Sequence, residues 1–243
     1  MSTLVVDCYC SAGGVGVALD ALGIHHVGID IDDYSDTYPG AFEQGDASDV
    51  EFVREVVSRH RAPGQSVVLW LSPPCQRYSP LTNVNAARYG WDDDEIARRY
   101  PSFEDLNVRE VIAAVDHDAY ILENVPRCDD LEDPARINGL AFGKPYRIER
   151  QFETDFTVPN ALGSGRPTLT MSTRDDYNNT AYQRRELARA KGVPTEWSEQ
   201  EVHSAIPPEY VEYLLYYCPA VDSVSLPETL QQRPLADYGG EQA

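Results

Sequence analysis

Val67-Val68-Leu69-Trp70-Leu71-Ser72-Pro73-Pro74-Cys75-Gln76 joins a run of five apolar residues to a double proline and a cysteine. The apolar run reads as a buried strand. Neither proline can donate a backbone hydrogen bond, so regular structure stops there. The cysteine therefore stands at the carboxyl end of a strand, where open α/β sheets place ligands and chemistry. Taken alone, the segment is equally an ordinary Pro-Pro turn beside a buried cysteine, a residue type common in cores.

Before this strand, Leu4 to Tyr9 reads as a first buried strand. Ser11-Ala12-Gly13-Gly14-Val15-Gly16 follows, then a helix that stops at Gly23. Strand, glycine-rich turn and helix form either a cradle for a nucleotide-type ligand or simply a tight turn. His26 to Asp30 is the next strand, and its acid falls at the spacing where a carboxylate accepts from ribose hydroxyls. Ile31 offers an apolar face for a flat base, and Asp46 an acceptor for an exocyclic amine. A helix cap or a solvated turn is the plainer role for both aspartates. An amphipathic helix is expected over 48–61, capped by Ser48.

After Cys75, residues 79–101 form a long polar stretch. Arg77, Arg88, Arg98 and Arg99 interleave with Tyr78, Tyr89, Trp91 and Tyr100 around it. Such a mixture suits phosphates and bases; Asp92-Asp93-Asp94-Glu95 suits a merely solvated segment equally well. A helix is expected over 103–115. The strand Ala119 to Leu122 then ends in Glu123-Asn124-Val125-Pro126, a second acid at a strand's carboxyl end. Residues 154–185 are turn-rich, 185–191 helical, and 206–217 a last helix with proline in its first turn. Beyond Pro219 the chain is expected to be disordered.

The chain has 243 residues with 40 acidic against 20 basic side chains, a formal net charge of -20. So acidic a chain repels nucleic acid in dilute buffer, because phosphate binding depends on cations. Abundant carboxylates with only two lysines, Lys144 and Lys191, also suit a protein that stays soluble in molar salt. There the Debye length falls to about 3 Å, so the net charge does not exclude a nucleic-acid partner. The five cysteines form no CxxC pair, which argues for a reducing cytoplasm and against a metal site. No apolar run is long enough for a transmembrane helix, and no basic leader precedes the first strand.

Asp7…Gly13-Gly14, Asp30, Asp46, Pro73-Pro74-Cys75-Gln76, Glu123-Asn124-Val125 and an arginine segment at 147–150 occur in this order. This order resembles the cytosine-C5 DNA methyltransferase family, and within it the compact phage-type members. Those share a Pro-Pro-Cys-Gln-x-Tyr-Ser segment (Pro73 to Ser79), an Arg-x-Phe-Glu stretch (Arg150 to Glu153) and Ile-Pro-Pro-x-Tyr (Ile206 to Tyr210). The resemblance covers roughly residues 4–217. With the acidic composition it suggests a halophilic archaeon or its virus as the source.

The resemblance implies an α/β fold, the doubly wound Rossmann-like sheet of S-adenosylmethionine-dependent methyltransferases, with a reduced target-recognition region. The implied parts are a cofactor-binding and catalytic core over 1–153, a small target-recognition region over 154–190, a helical return over 191–218 and a tail over 219–243. It implies S-adenosylmethionine as cofactor, held by Asp7, Gly13, Gly14, Asp30, Ile31, Asp46 and Pro73. Cys75 is the implied nucleophile at cytosine C6, Glu123 the acid at N3, and Arg150, less securely Arg147, the group holding the base oxygen. Gln76, Arg77, Tyr78, Ser79 and Arg88 are the implied nucleic-acid contacts, with the 77–100 stretch closing over a flipped base. The expected partner is double-stranded DNA, and the expected state a cytoplasmic monomer without metal or membrane. Two other readings stay open: a methyltransferase acting on RNA or a free pyrimidine nucleotide, and a non-catalytic nucleic-acid binder of the same fold. Three departures stand out. The family has glycine where this chain has Ser11, its Arg-x-Arg is spread over Arg147-Ile148-Glu149-Arg150, and its late asparagine falls at Ser204.

Overall fold

The computed structural model describes residues 2–169, 180–222 and 224–231. Five strands are parallel: β1 (Thr3–Cys8), β2 (His25–Asp30), β3 (Ala41–Gln44), β4 (Ser66–Leu71) and β5 (Ala119–Asn124). Two more, β6 (Ala135–Ile137) and β7 (Arg150–Thr154), complete one sheet in the order β3-β2-β1-β4-β5-β7-β6. β7 runs antiparallel to both β5 and β6. The chain winds outward from β1 to β3, then returns past β1 to β4. Strand order therefore reverses between β1 and β4, and the loops leaving these two strands open a crevice at their carboxyl ends.

Both faces of the sheet are covered, which is why the strands read as unbroken apolar runs. Leu4, Val6 and Cys8 of β1 pack with Val53, Val56 and Val57 of α2 (Val50–His60) and with Val108 and Val111 of α5 (Val108–Ala114). Val5 faces the other way, toward α1 (Gly14–Leu22) and toward Tyr210, Val211 and Leu214 of α8 (Pro208–Tyr217). A third, smaller core joins Tyr146 to Leu187 and Ala188 of α6 (Thr180–Lys191) and to Val202 of α7 (Glu199–Ser204).

Several boundaries differ from expectation, each for a local reason. The helix expected over 48–61 begins at Val50, because Asp46 Oδ1 engages both Ser48 N (2.9 Å) and Ser48 Oγ (2.7 Å) in the preceding turn. Asp49 caps it instead, accepting from Glu51 N and Phe52 N. The helix expected over 103–115 is shortened to α5. Ser102 and Asp105 close a turn of their own, and Asn107 sits in the left-handed region at φ 49. The polar stretch 79–101 holds two helices, α3 (Pro80–Tyr89) and α4 (Asp93–Arg99). Asp92 caps α4, with Asp93, Asp94 and Glu95 in its first turn and Arg98 and Arg99 in its last, the arrangement a helix dipole favours.

Where it is described, over 219–222 and 224–231, the tail packs against the core. Thr3 Oγ1 donates to the Ala220 carbonyl at 2.6 Å, and Val221, Val224 and Leu226 pack on the sheet beside buried Leu230, within a short α9 (Glu228–Gln231). Residues 232–243, and 170–179 of the turn-rich segment, lie outside the described residues. Among the described residues no helix is long and apolar enough to cross a membrane.

Candidate active site

The loops leaving β1, β2, β4 and β5 border one cleft of about 560 Å³. At its first wall, Gly13 takes φ 96, and a Cβ there would meet Pro39 and Tyr38 at 2.6 and 2.7 Å. A Cβ on Gly14 would strike Ile206 N at 2.7 Å, so only a bare backbone lets the loop pass between these neighbours. Ser11 stands in the left-handed region at φ 49, a conformation glycine adopts without strain. Its N–H donates to Asp30 Oδ2 at 2.9 Å, and Asp32 N donates to Asp30 Oδ1 at 3.1 Å. Burial raises the pKa of Asp30, and these two donors oppose the rise. Ile31 lines the cleft with 66% of its surface exposed, an uncovered apolar side chain beside Asp30 and Asp46.

Asp7 lies beneath this loop, 1% exposed. Its Oδ2 accepts from Tyr38 Oη at 3.3 Å, while its Oδ1 makes no hydrogen bond among the described residues. Burial drives the carboxyl well above its ordinary pKa, opposed by the Tyr38 hydrogen bond and assisted by the charge of Asp30.

The opposite wall carries Cys75, in the loop after β4, with Glu123 of β5 and Arg150 of β7. Arg150 Nε lies 3.0 Å from Glu123 Oε1, with both side chains largely buried. Asn124 Nδ2 donates to the Pro73 carbonyl at 3.0 Å and ties the two motif loops together. Burial raises the Glu123 pKa, and Arg150, a Ser72 hydrogen bond and Lys191 pull it back. Burial likewise raises the Cys75 thiol; the Glu123 charge adds to the rise and Arg150 counters it. A proton on Glu123 therefore makes the thiolate easier to form, so acid and nucleophile are electrostatically linked.

Other expected residues are placed elsewhere. Arg147 is exposed and donates to the Gly165 carbonyl at 3.0 Å, outside the cleft lining; Arg150 alone of the two reaches it. The Tyr210 hydroxyl donates to the Ile148 carbonyl at 2.7 Å and fixes this turn ahead of β7. Tyr78, expected against nucleic acid, is turned into the core, with its hydroxyl on Asp130 and its ring edge-on to Phe103. Arg77 Nη1 donates to the Tyr100 carbonyl at 3.3 Å and lines a separate hollow beside α3 and α4. Gln76 stands at the cleft mouth and is exposed, Ser79 is half-buried, and Arg88 is exposed with its guanidinium 5.5 Å from the Tyr89 ring centre. Of the Arg-x-Phe-Glu stretch, Phe152 is core and Glu153 is held by Arg109, Tyr120 and the Glu132 N–H.

Tyr9, Tyr34, Leu106, Trp197 and the segment Ser204-Ala205-Ile206 are also among the lining residues. Behind that segment lies Lys191, wholly buried and electrostatically coupled to Arg150 and Glu123. A lone lysine ending a polar helix carries no sequence signal for such a place; only its rarity in this chain sets it apart. Among the described residues no cluster of three His, Cys, Asp or Glu is arranged to hold a metal ion.

A scan against protein-family models finds no match, and a search of curated proteins finds none. Solved structures do match. A protein described as a DNA modification methyltransferase encoded within a prophage (E. coli) is 17% identical over 63% of this chain and 46% of its own, with a TM-score of 0.43. The chain thus spans less than half the length of that protein. The S. pombe Dnmt2 methyltransferase is 15% identical over 88% of this chain and 97% of its own, with a TM-score of 0.53. Together with the strand order, the second likeness shows the fold: a doubly wound, Rossmann-like α/β sheet shared with that methyltransferase structure.

Proposed function

We propose that this protein is a DNA cytosine-C5 methyltransferase. The observation that carries the reading is the meeting of Cys75 and the Glu123–Arg150 pair in one cleft with the Gly13-Gly14 loop and Asp30. Fold alone does not choose among methyltransferase substrates; a nucleophilic cysteine beside a buried acid points to a pyrimidine ring.

The cleft residues suit S-adenosylmethionine. In this reading Asp30 takes the ribose hydroxyls, exposed Ile31 the adenine face and Asp46 its amine, and Asp7 Oδ1, without a hydrogen bond among the described residues, lies beneath the glycine loop. When bound, that cofactor supplies an electrophilic methyl group. The protein's part is to make C5 nucleophilic. The Cys75 thiol gives its proton to water, and the thiolate sulfur bonds to C6 as Glu123 gives its proton to N3; the C5–C6 double bond shifts to C4–C5, leaving an enamine. Arg150 steadies the base oxygen, and its pairing with Glu123 orients the acid. Once C5 has been alkylated, its proton passes to water. The C6–sulfur bond then breaks, and the N3 proton returns to Glu123.

Gln76, Ser79 and Arg88 with the helices α3 and α4 are the proposed contacts to duplex DNA, from which the base is flipped. Residues 154–190 act as a small target-recognition region, and 191–218 return the chain to the core. The protein works as a cytoplasmic monomer. The deciding experiment incubates duplex DNA and S-adenosylmethionine with wild-type protein and Cys75→Ala in molar KCl, followed by nucleoside mass spectrometry. 5-Methyldeoxycytidine with wild type only is the expected result. Its absence from DNA, with methylation found on RNA or nucleotides, replaces the substrate; no methylation on any of them refutes catalysis.

A further inference from the structure

Lys191 is fully buried, yet the mechanism above leaves it without a task. It ends α6, and its Nζ donates to three carbonyls, those of Val202 (2.6 Å), His203 (3.1 Å) and Ala205 (2.8 Å). These belong to the last turn of α7 and the residue after it, where helix carbonyls lack intrahelical partners. Three acceptors match the three N–H groups of an ammonium. An uncharged amine has only two and would turn its lone pair on the third carbonyl. Burial and the Arg150 cation push the lysine pKa down, so the cage of carbonyls is what makes a charge tolerable there. The titratable groups around it are Arg150 on β7, Glu123 on β5 and His203 on α7, whose own pKa burial and the Lys191 charge push down.

The turn so fastened leads into a wall of the cleft, with Ala205 belonging to both. Ser204, Ala205 and Ile206 all line it, and Ala205 and Ile206 bear directly on Gly14. We propose that Lys191 is a positioning residue for the cofactor, fixing the Val202–Ala205 turn so that Ala205 and Ile206 close against the Gly13-Gly14 loop. This rests on the methyltransferase reading for the identity of the ligand, though not for the anchoring itself.

The test compares wild type with Lys191→Met, which keeps the length and removes every donor, and Lys191→Gln, which retains two N–H groups. S-adenosylhomocysteine binding is measured by calorimetry, and amide hydrogen exchange is followed over 199–206. Lys191→Met is expected to bind about tenfold or more weakly, with Lys191→Gln in between. Protection is lost over 199–206 and kept in β1, β4 and β5, and KM for S-adenosylmethionine rises by a larger factor than kcat falls. Affinity and protection unchanged in Lys191→Met overturn the proposal, as does protection lost evenly across the sheet with Lys191→Gln binding like wild type. If the wild type binds no S-adenosylhomocysteine, the methyltransferase reading fails, and the exchange data alone decide whether Lys191 anchors the turn.

Discussion

Asn124 Nδ2 donates to the carbonyl oxygen of Pro73 at 3.0 Å, linking the carboxyl ends of two adjacent parallel strands. The side chain is wholly buried, and its Oδ1 accepts from Val125 N at 2.9 Å. Since Pro73 and Pro74 bring no N–H of their own, this carbonyl is a fixed point from which Cys75 is held relative to Glu123. Asn124→Ala is expected to cost about 1–3 kcal/mol in urea unfolding, the penalty for a buried acceptor left unmade. Methyl transfer should fall about tenfold or more, and S-adenosylhomocysteine affinity much less. An equal loss in both would mean that Asn124 supports the whole cleft.

Glu123→Gln separates the two roles of the acid. Its charge raises the Cys75 thiol pKa, while Arg150 lowers it. The amide removes the first influence and frees the second, so Cys75 should react faster with iodoacetamide at pH 7. Methyl transfer should nonetheless drop by about a hundredfold or more, because an amide cannot protonate N3. Slower alkylation in Glu123→Gln would show that the acid does not face the thiol.

Asp7→Asn is expected to stabilise the protein. The folded pKa of Asp7 is raised above its unfolded value of about 4, so the folded chain holds this proton more tightly. The stability it contributes is therefore complete below that pH and is lost as pH rises through the folded pKa. Relative to wild type, Asp7→Asn should gain about 1–3 kcal/mol at pH 7, with the gain shrinking toward pH 4. Cofactor affinity should fall at the same time, a trade of function against stability. Chemical denaturation of both proteins across pH measures the first effect and calorimetry the second.

Ser11→Gly relieves a left-handed backbone at φ 49 without disturbing the N–H donated to Asp30. A gain of about 1 kcal/mol in unfolding free energy is expected, with cofactor affinity equal to or better than wild type. A loss of affinity would assign the serine hydroxyl a contact of its own.

The excess of 20 negative charges should make the fold firmer in concentrated salt. Melting temperature is expected to climb between about 0.1 M and about 2 M KCl, as screening shrinks to a few ångströms. A flat or falling curve removes the argument for a halophilic source.

The parallel core was legible because buried strands advertise themselves as apolar runs, and Pro73 and Glu123 mark where two of them end. Cys75, Glu123, Arg150, Gly13, Asp30 and Ile31 do line one cleft. What failed were positions decided by competition among short polar side chains. Asp46 takes Ser48 away from the helix start, and Ser102 and Asp105 delay α5. Tyr78 looked available beside Arg77, but Phe103 and Asp130, distant in sequence, give it a place in the core. Arg147 and Arg150 are indistinguishable as letters; the turn anchored by Tyr210 sends the first outward. Lys191 had no signal, because its partners are backbone carbonyls, which every residue carries.

The close approach of Gly14 to Ile206 also has a bearing on how the molecule comes into being on a ribosome. β1 is translated first, yet it sits inside the sheet and waits for β4 to emerge before its second edge is covered. The far wall of the cleft arrives later still, with Ser204, Ala205 and Ile206. A nascent chain halted at residue 200 already carries Cys75, Glu123 and Arg150 but encloses no complete cleft. Enclosure of the cleft thus depends on residues translated after both motif loops, so Cys75 and Glu123 share a walled cleft only once residues 204–206 have docked.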